Sequence, residues 1–440
     1  MVKIVMIGAG SHVFARRLMM DILSYPELRD STITLMDIDE ERLGLMAQLA
    51  NRLVGQQGFN TKIEATTDRR EALEGADYIV VSIRVGGLDA TRLDLEIPAK
   101  YGVVQAVGDT IGPGGVFYGL KHIPILLSIC HDMEDVCPDA WLMNYTNPMA
   151  MICWAMNDYS KVRSVGLCHS VQGTARQLAN YIGAPPEEVS HWVAGINHMA
   201  WFLEFRWRGA DAYPLLRERL RDIKPGSETG IPFADRDLVR IEIFKAFGYF
   251  NTESSGHMSE YVPYFRKRPD LFERFGLKRE LRLKEGDPWL ERRRRRDTQL
   301  RRLLEGGEVM PIVRSHEYCS SIIHSMETDT PGRVNANVRN TDLITNLPEG
   351  CCVEVPCLVD RTGIHPCHVG KLPPQCAALN RANINLQELG VKAAVEGDRE
   401  LVHQAVLLDP LTSAILSIDE TRRMVDEMLE AEAKYLPEMR

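Results

Sequence analysis

Residues 165–173, "VGLCHSVQG", place Cys168, His169 and Ser170 side by side at the end of an apolar run. A thiol beside an imidazole admits three readings: filler at a strand-to-helix turn, a nucleophile next to its base, or half of a metal site. The nucleophilic reading needs the two groups face to face, and adjacent residues at the end of an extended strand point apart. A metal needs further donors, and "AGINHMA" at 194–200 supplies His198 just after another strand-like run. A thiolate, an imidazole and open positions suit Mn, Fe, Co or Ni, with substrate oxygens completing the shell. The competing reading makes Cys168 a small buried hydrophobe and His198 a satisfied core histidine.

A second constellation lies at the N-terminus. "IVMIGAGSHVF" sets Gly8 and Gly10 directly after a strand-like run and at the opening of a helical one. Such glycines allow a tight turn and close approach of the backbone to a pyrophosphate, which the helix N-terminus then favours. The third glycine of the full dinucleotide fingerprint is missing, because Val13 stands there. Asp37 ends the next strand-like run, "TLMDID". A carboxylate there accepts hydrogen bonds from ribose hydroxyls and repels a 2′-phosphate, which favours NAD over NADP. The alternative is a structural turn with a helix-capping aspartate.

The elements that must carry these residues alternate through the first half. "VKIVMIG" precedes a helical pattern from His12 to Ser24, "STITLMD" precedes 40–54, and "DYIVVSIR" precedes 88–100. A helical "LKHIPILLSICHDMEDV" leads to the strand-like "AWLMNYT". A helix near 148–158, the run "SVGLC" and a helix over 171–182 follow. Repeated βα units predict a Rossmann-type, doubly wound parallel sheet over 1–190. Beyond it "HWVAGINHMAWFLEFRW" reads as a pair of strands, then come long helices, a polar stretch at 265–300, strands near "CCVEVPCLVD" and a helical end over 373–436. We therefore expect an α/β fold with a second, α+β substrate and oligomerisation domain over 191–440, in the manner of lactate and malate dehydrogenases, and a site in the crevice between the two.

Bulk composition excludes several classes. The chain has 440 residues, 45% hydrophobic and 26% charged, with a net charge of −9. That balance gives no case for nucleic acid. Ten cysteines without CxxC spacing read as a reduced, cytoplasmic protein. The opening run is too short for a signal peptide. The longest uncharged stretch, Ala140 to Asn157, contains Asn144, Asn147 and Pro148 and reads as strand, loop and helix rather than a membrane span. The basic "ERRRRRDTQL" at 291–300 reads as a solvated helix face, the alternative being a subunit-contact or anion-binding patch.

Several motifs occur in one order: "GAGS", "GDTIGPGG" (108–115), "MNYTNPMA" (143–150), "LCHSVQG" (167–173), "AGINHMA" (194–200), "TESSGHMSEYVPYF" (252–265), "NLPEGCCVEVPCLVD" (346–360) and "GIHP" (363–366). Through them the chain resembles glycoside hydrolase family four, nearly end to end. Its Cys-His-Ser-Val at 168–171 is similar to that of the family's melibiase-type α-galactosidase branch. These NAD- and metal-dependent enzymes stand outside the usual two-carboxylate chemistry of glycosidases. The resemblance implies that NAD⁺ removes hydride from sugar C3, so that the C2 proton becomes acidic. A metal chelated by the C2 and C3 oxygens stabilises the enediolate. A base then takes the C2 proton, the C1 substituent is eliminated, water adds, and the hydride returns.

Carried over position by position, the resemblance makes Cys168 and His198 metal ligands, with Mn the expected ion, and sets Asn147 against sugar hydroxyls. His169 becomes a candidate substrate contact or leaving-group acid. Tyr261 is the chosen base, with Tyr264, Glu253 and His257 as rivals. His257 is also an expected substrate contact. A tyrosine starts near pKa 10 and needs a cation nearby to serve as a base. Asp109 either touches substrate or caps its loop. Arg84 either holds a hydroxyl, stabilises the crevice or pairs with a uronate carboxylate. The expected cofactor contacts are Gly8, Gly10, Ser11, Asp37 and Asn144. The resemblance also implies a small sugar substrate, no membrane or nucleic-acid partner, and a homodimer or homotetramer. The rival functions are the same mechanism on α-glucosides or α-galacturonides, an NAD-dependent 2-hydroxy acid dehydrogenase, and an NAD-sensing protein without turnover.

Overall fold

The computed structural model describes residues 1–11, 14–226, 230–279, 287–306 and 309–440. Twelve strands form one sheet: β1 (Val2–Ile7), β2 (Ser31–Met36), β3 (Lys62–Thr66), β4 (Tyr78–Val81), β5 (Trp141–Asn144), β6 (Arg163–Gly166), β7 (Val189–Ile196), β8 (Met199–Trp207), β9 (Ala210–Asp211), β10 (Gly332–Arg339), β11 (Cys352–Asp360) and β12 (Gly363–Pro366). The first-half helices are α1 (Phe14–Leu23), α2 (Glu40–Gln57), α3 (Arg69–Leu73), α4 (Gly87–Lys100), α5 (Gly112–Val136), α6 (Met149–Tyr159) and α7 (Ser170–Ile182). After β9 come α8 (Tyr213–Leu220), α9 (Leu238–Phe247), α10 (Ser255–Tyr261), α11 (Pro269–Arg274), α12 (Pro288–Glu305) and α13 (Tyr318–Thr328). The chain ends in α14 (Pro374–Glu396), α15 (Arg399–Leu407), α16 (Pro410–Ser413) and α17 (Ile418–Glu432).

Strand order β3-β2-β1-β4-β5-β6 is parallel throughout, as the βα alternation predicts. Among the strands that the reading of the sequence did not name are β3 and β10. β3, "KIEAT", is a half-exposed edge strand, and β10, "GRVNANVR", carries two asparagines among its apolar residues. Apolar and polar residues alternate in both, with Ile63 and Ala65 in β3 and Val334, Ala336 and Val338 in β10, so the period-2 signal was present but short and was passed over. The first predicted helix begins at His12, and His12 and Val13 lie outside the described residues; the helix runs from Phe14. The basic run at 291–300 lies within α12, and Arg52 of α2 donates to the carbonyls of Leu303 and Leu304.

The sheet does not stop at β6. β10, β11, β7, β8 and β9 continue it with antiparallel pairing. Two seams in this continuation are single-residue bridges, Asn337 to Gly166 and Glu354 to Gly195. Gly166, Asn337, Glu354 and Gly195 thus form one row across four strands. A Cβ on Gly166 would lie 2.5 Å from Cys153 Sγ and 2.9 Å from Asn337 Cβ, so only glycine permits this approach. The chain leaves β6 two residues before Cys168 and reaches His198 three residues after Gly195.

One apolar core runs from Ile4 in β1 to Leu429 in α17, and a smaller one spans Val171 to Phe250. α5 is apolar on nearly every side and is buried, as such a helix must be. Its Lys121 is buried and paired with Asp94 of α4 and Glu432 of α17. The β7–β8 hairpin is pinned from outside the sheet. Asn380 of α14 accepts from Trp201 Nε1 at 3.0 Å and donates to the Met199 carbonyl at 2.8 Å. All of these groups are buried, so Asn380→Ala orphans a donor and an acceptor. The expected cost is about 2 kcal/mol, read as a lower denaturation midpoint; an unchanged midpoint would mean that the hairpin is held elsewhere.

Candidate active site

The C-terminal ends of β1, β2, β4, β5 and β6 share one edge of the sheet, where a doubly wound fold holds its ligands. Gly8 turns there with φ +86°, and its N–H donates to the Met36 carbonyl at 2.9 Å. Gly10 donates to Asp37 Oδ2 at 2.8 Å, and Asp37 Oδ1 accepts from Asp39 N–H at 2.9 Å. A carboxylate has about four acceptor sites, so two remain for hydroxyls. The Ser11 carbonyl accepts from Ala15 N–H, which places Ser11 at the helix entry. Ile38, which the sequence reading passed over, is 91% exposed beside Asp37. Asn144, an expected cofactor contact, uses its amide within the chain. Its amide donates to the Thr146 carbonyl at 2.9 Å and accepts from Thr146 N–H at 2.9 Å, so it shapes the turn that carries Asn147.

Three donors converge beside this turn. Cys168 Sγ, a His198 ring nitrogen and a Glu253 carboxylate oxygen all lie within 4.8 Å of one another. Cys168 follows β6, while His198 occupies the two-residue turn between β7 and β8 with φ +62°. Glu253, just before α10, has φ +73°. Left-handed backbone in residues other than glycine costs on the order of 1–3 kcal/mol and persists where the surroundings enforce it. For Glu253 that enforcement is visible. Buried Arg240, paired with Asp237 at 2.7 Å, donates to the Glu253 backbone carbonyl.

The electrostatics follow from the packing. Burial pushes the Cys168 thiol up to about 12, and the carboxylates of Glu354 and Glu253 add to the rise. Without a cation this sulfur is a neutral thiol; a metal ligand must be the thiolate. Burial also raises the Glu253 carboxyl, but His198, His257, His169 and Arg240 together hold it below the usual carboxylate range. Glu354, directly behind the cluster on β11, is pushed up to about 7 by complete burial. Among the described residues, both of its oxygens and His198 Nδ1 lack hydrogen-bond partners. A sulfur, a nitrogen and an oxygen within mutual reach, ringed by unpartnered buried polar atoms, fit a divalent cation.

The remaining predicted residues surround this cluster. The His169 ring is 66% exposed, with Nδ1 3.4 Å from Glu317 Oε1. The hydrogen bond to Glu317 raises His169 to about 9. His257 lies beside His198, with ring centroids 4.7 Å apart and the ring planes tilted by 56°. Asn147 Nδ2 donates to Asp109 Oδ2 at 3.3 Å, and Asp109 Oδ1 is buried without a partner. Tyr261 is fully buried. Burial, with Glu260, Asp109 and Glu253, drives its phenol well above the ordinary range. Tyr264, its rival, lies three residues past the end of α10 and is exposed, against Phe247. Arg84 stands exposed in a loop held by buried His122, whose Nε2 accepts from Val85 N–H at 2.9 Å.

Glu317, Glu354 and Arg240 were missed in the sequence. Only Glu354 carried a signal, as a lone acid inside the apolar "CCVEVPCLVD".

A family model described as Family 4 glycosyl hydrolase matches residues 3–184, and the model of that family's C-terminal domain matches residues 193–412. An α-galactosidase of Rhizobium meliloti (strain 1021) is 43% identical over 443 residues, covering 99% of this chain and 89% of its own length. An α-galactosidase of Bacillus subtilis (strain 168) is 41% identical, and the match covers 100% of both chains. The fold is similar to that of a 6-phospho-α-glucosidase from gut microorganisms crystallised with NAD and Mn²⁺. That similarity has a TM-score of 0.83 at 22% identity and covers all of both chains.

Proposed function

Because the chain belongs to family 4 of the glycosyl hydrolases, we propose that it hydrolyses terminal α-galactosides of the melibiose type with NAD and a divalent cation, Mn²⁺ foremost. The observation that carries the reading is the Cys168–His198–Glu253 cluster on the same sheet edge as the Gly8 turn. The full-length likeness to two α-galactosidases supports the choice of sugar. When bound, NAD supplies a reversible hydride acceptor at sugar C3 and the cation a Lewis acid on the C2 and C3 oxygens.

The chain's own residues then take defined parts. Gly8, Gly10 and Ser11 cradle the pyrophosphate, and Asp37 binds ribose hydroxyls and repels a 2′-phosphate. Cys168, His198 and Glu253 hold the cation; Glu253 was first weighed only as a base. Asn147, Asp109, His257 and Arg84 receive the sugar hydroxyls, and Asp109 Oδ1 is a buried acceptor still in need of a donor. His169, raised to about 9 by its bond to Glu317, carries a proton at neutral pH and presents it to the leaving oxygen. Tyr261 remains the choice for the C2 base; its burial and the carboxylates of Glu260, Asp109 and Glu253 oppose ionisation, so the phenol would need a bound cation nearby to serve. We assign residues 1–190 to NAD and Cys168, and 191–440 to the other donors and the sugar. We further propose a cytoplasmic homodimer or homotetramer. Among the described residues no helix is long and apolar enough to cross a membrane.

The test strips the protein of metal and nucleotide. It then assays para-nitrophenyl α-galactoside with NAD⁺, Mn²⁺ and a thiol, omitting each in turn, with the α-glucoside and α-galacturonide alongside. We expect release only with both NAD⁺ and Mn²⁺, fastest from the galactoside. NADH accumulating on a 2-hydroxy acid, with no sugar released, would make the protein a dehydrogenase.

A further inference from the structure

Glu260 immediately precedes Tyr261 on α10, is 2% exposed, and has no part in the chemistry above. Its Oε1 accepts from three successive backbone N–H groups, those of Ala106 at 2.7 Å, Val107 at 3.0 Å and Gly108 at 3.1 Å. Consecutive N–H groups of this kind form a concave anion cradle. The next residue in the chain is Asp109. The second oxygen, Oε2, has no hydrogen-bond partner among the described residues and faces His257 Nδ1 at 3.7 Å, itself buried and unpartnered among them. His257 Nε2 in turn stands 3.9 Å from Glu253 Oε1. Arg266 reinforces the same contact from the side, donating to Ser259 Oγ at 2.6 Å and to the Val104 carbonyl at 3.1 Å.

A staple for the 106–108 loop needs one acceptor oxygen. A buried carboxylate costs more than a neutral amide, and its second oxygen is spent facing an imidazole rather than the loop. We propose that Glu260 is a positioning residue of the hydrolytic site: it locks the Asp109 loop to the helix bearing His257 and Tyr261, so that these three groups hold one mutual geometry. The proposal rests on the reading of the site as a glycosidase centre.

The test uses full-length enzyme loaded with NAD and Mn²⁺, with E260Q and E260A beside the wild type. Glu260→Gln keeps an oxygen for the three N–H groups and replaces Oε2 by an isosteric NH₂. Thermal midpoint, NAD affinity, galactose affinity by calorimetry, and kcat and KM on para-nitrophenyl α-galactoside are measured together. We expect E260Q to keep its midpoint and NAD affinity. Its galactose affinity and kcat/KM should each fall about 10–100-fold, the range seen when the partner that orients a site residue is lost. E260A should also lose thermal stability, and if it fails to fold, E260Q still decides. Wild-type galactose affinity, kcat and KM in E260Q would reduce Glu260 to a loop staple and overturn the proposal. So would losses that merely track a lower midpoint. If the wild type itself releases no nitrophenol from any glycoside, the hydrolytic reading fails separately; galactose affinity in E260Q still reports on Glu260.

Discussion

Cys168→Ser is expected to lower Mn²⁺-dependent turnover of para-nitrophenyl α-galactoside by about 10³-fold while leaving NAD affinity within a few-fold. Removing a partner that merely orients a metal ligand costs about 10–100-fold in affinity, and here the ligand atom itself is lost. A serine hydroxyl is nearly isosteric but does not ionise near neutrality, so it offers the cation neither the charge nor the softness of a thiolate. Cys168 is buried with Sγ 3.4 Å from Ser170 Oγ, so the substituted hydroxyl has a neighbour and the fold should survive. Mn²⁺ affinity by calorimetry and kcat at saturating Mn²⁺ separate lost binding from lost chemistry. Full metal-dependent activity in the variant would remove Cys168 from the site and dismantle the assignment of the cluster. The same thiolate makes reducing conditions necessary, because oxidation removes the donor.

Gly8→Ala is the second large effect, and it acts through sterics alone. The backbone at Gly8 has φ +86°, and a Cβ there would stand 2.1 Å from the Ser82 carbonyl oxygen and 3.1 Å from Ile83 Cγ2. Neither side can yield cheaply, because β1 is paired on both flanks, with β2 and with β4. We expect NAD affinity to fall by at least about 10³-fold and stability by about 2–4 kcal/mol. Gly44→Ala in α2 is the matched control. No atom lies within 4 Å of its added Cβ, and the change should be neutral or stabilise the helix by up to about 1 kcal/mol. Fluorescence titration of NAD with both variants reads the contrast. Tight NAD binding by Gly8→Ala would place the cofactor somewhere other than this turn.

The same contrast between local and distant determination runs through the fold. Gly8 and Asp37 were legible because each ends a short strand whose apolar run is a local property, and a glycine after a strand has few structural meanings. Asn144 was read as a cofactor contact. Its amide instead closes a turn with Thr146, a bond between near neighbours that periodicity does not report. Glu253 was weighed in the sequence only as a rival base to Tyr261. Its place beside Cys168 depends on Arg240 holding its backbone, and that side chain comes from another helix. The second half was expected as a separate layer beyond residue 190. In the folded chain one sheet runs through both halves, joined at the bridges of Gly166 with Asn337 and of Glu354 with Gly195.

The sequence by itself determined the parallel βα architecture, the dinucleotide turn, and the thiol and imidazole that stand at strand ends. These follow from local sterics and hydrophobic period, which act over a few residues. The tertiary structure alone decided which side chains meet. Cys168, His198 and Glu253 converge because β10 and β11 insert between β6 and β7. Glu317, Glu354 and Glu260 acquire their roles from partners more than a hundred residues away. Burial then sets the protonation of the site, raising Cys168, Glu354 and Tyr261 together. Desolvation belongs to the packed molecule and has no signature in the order of its residues.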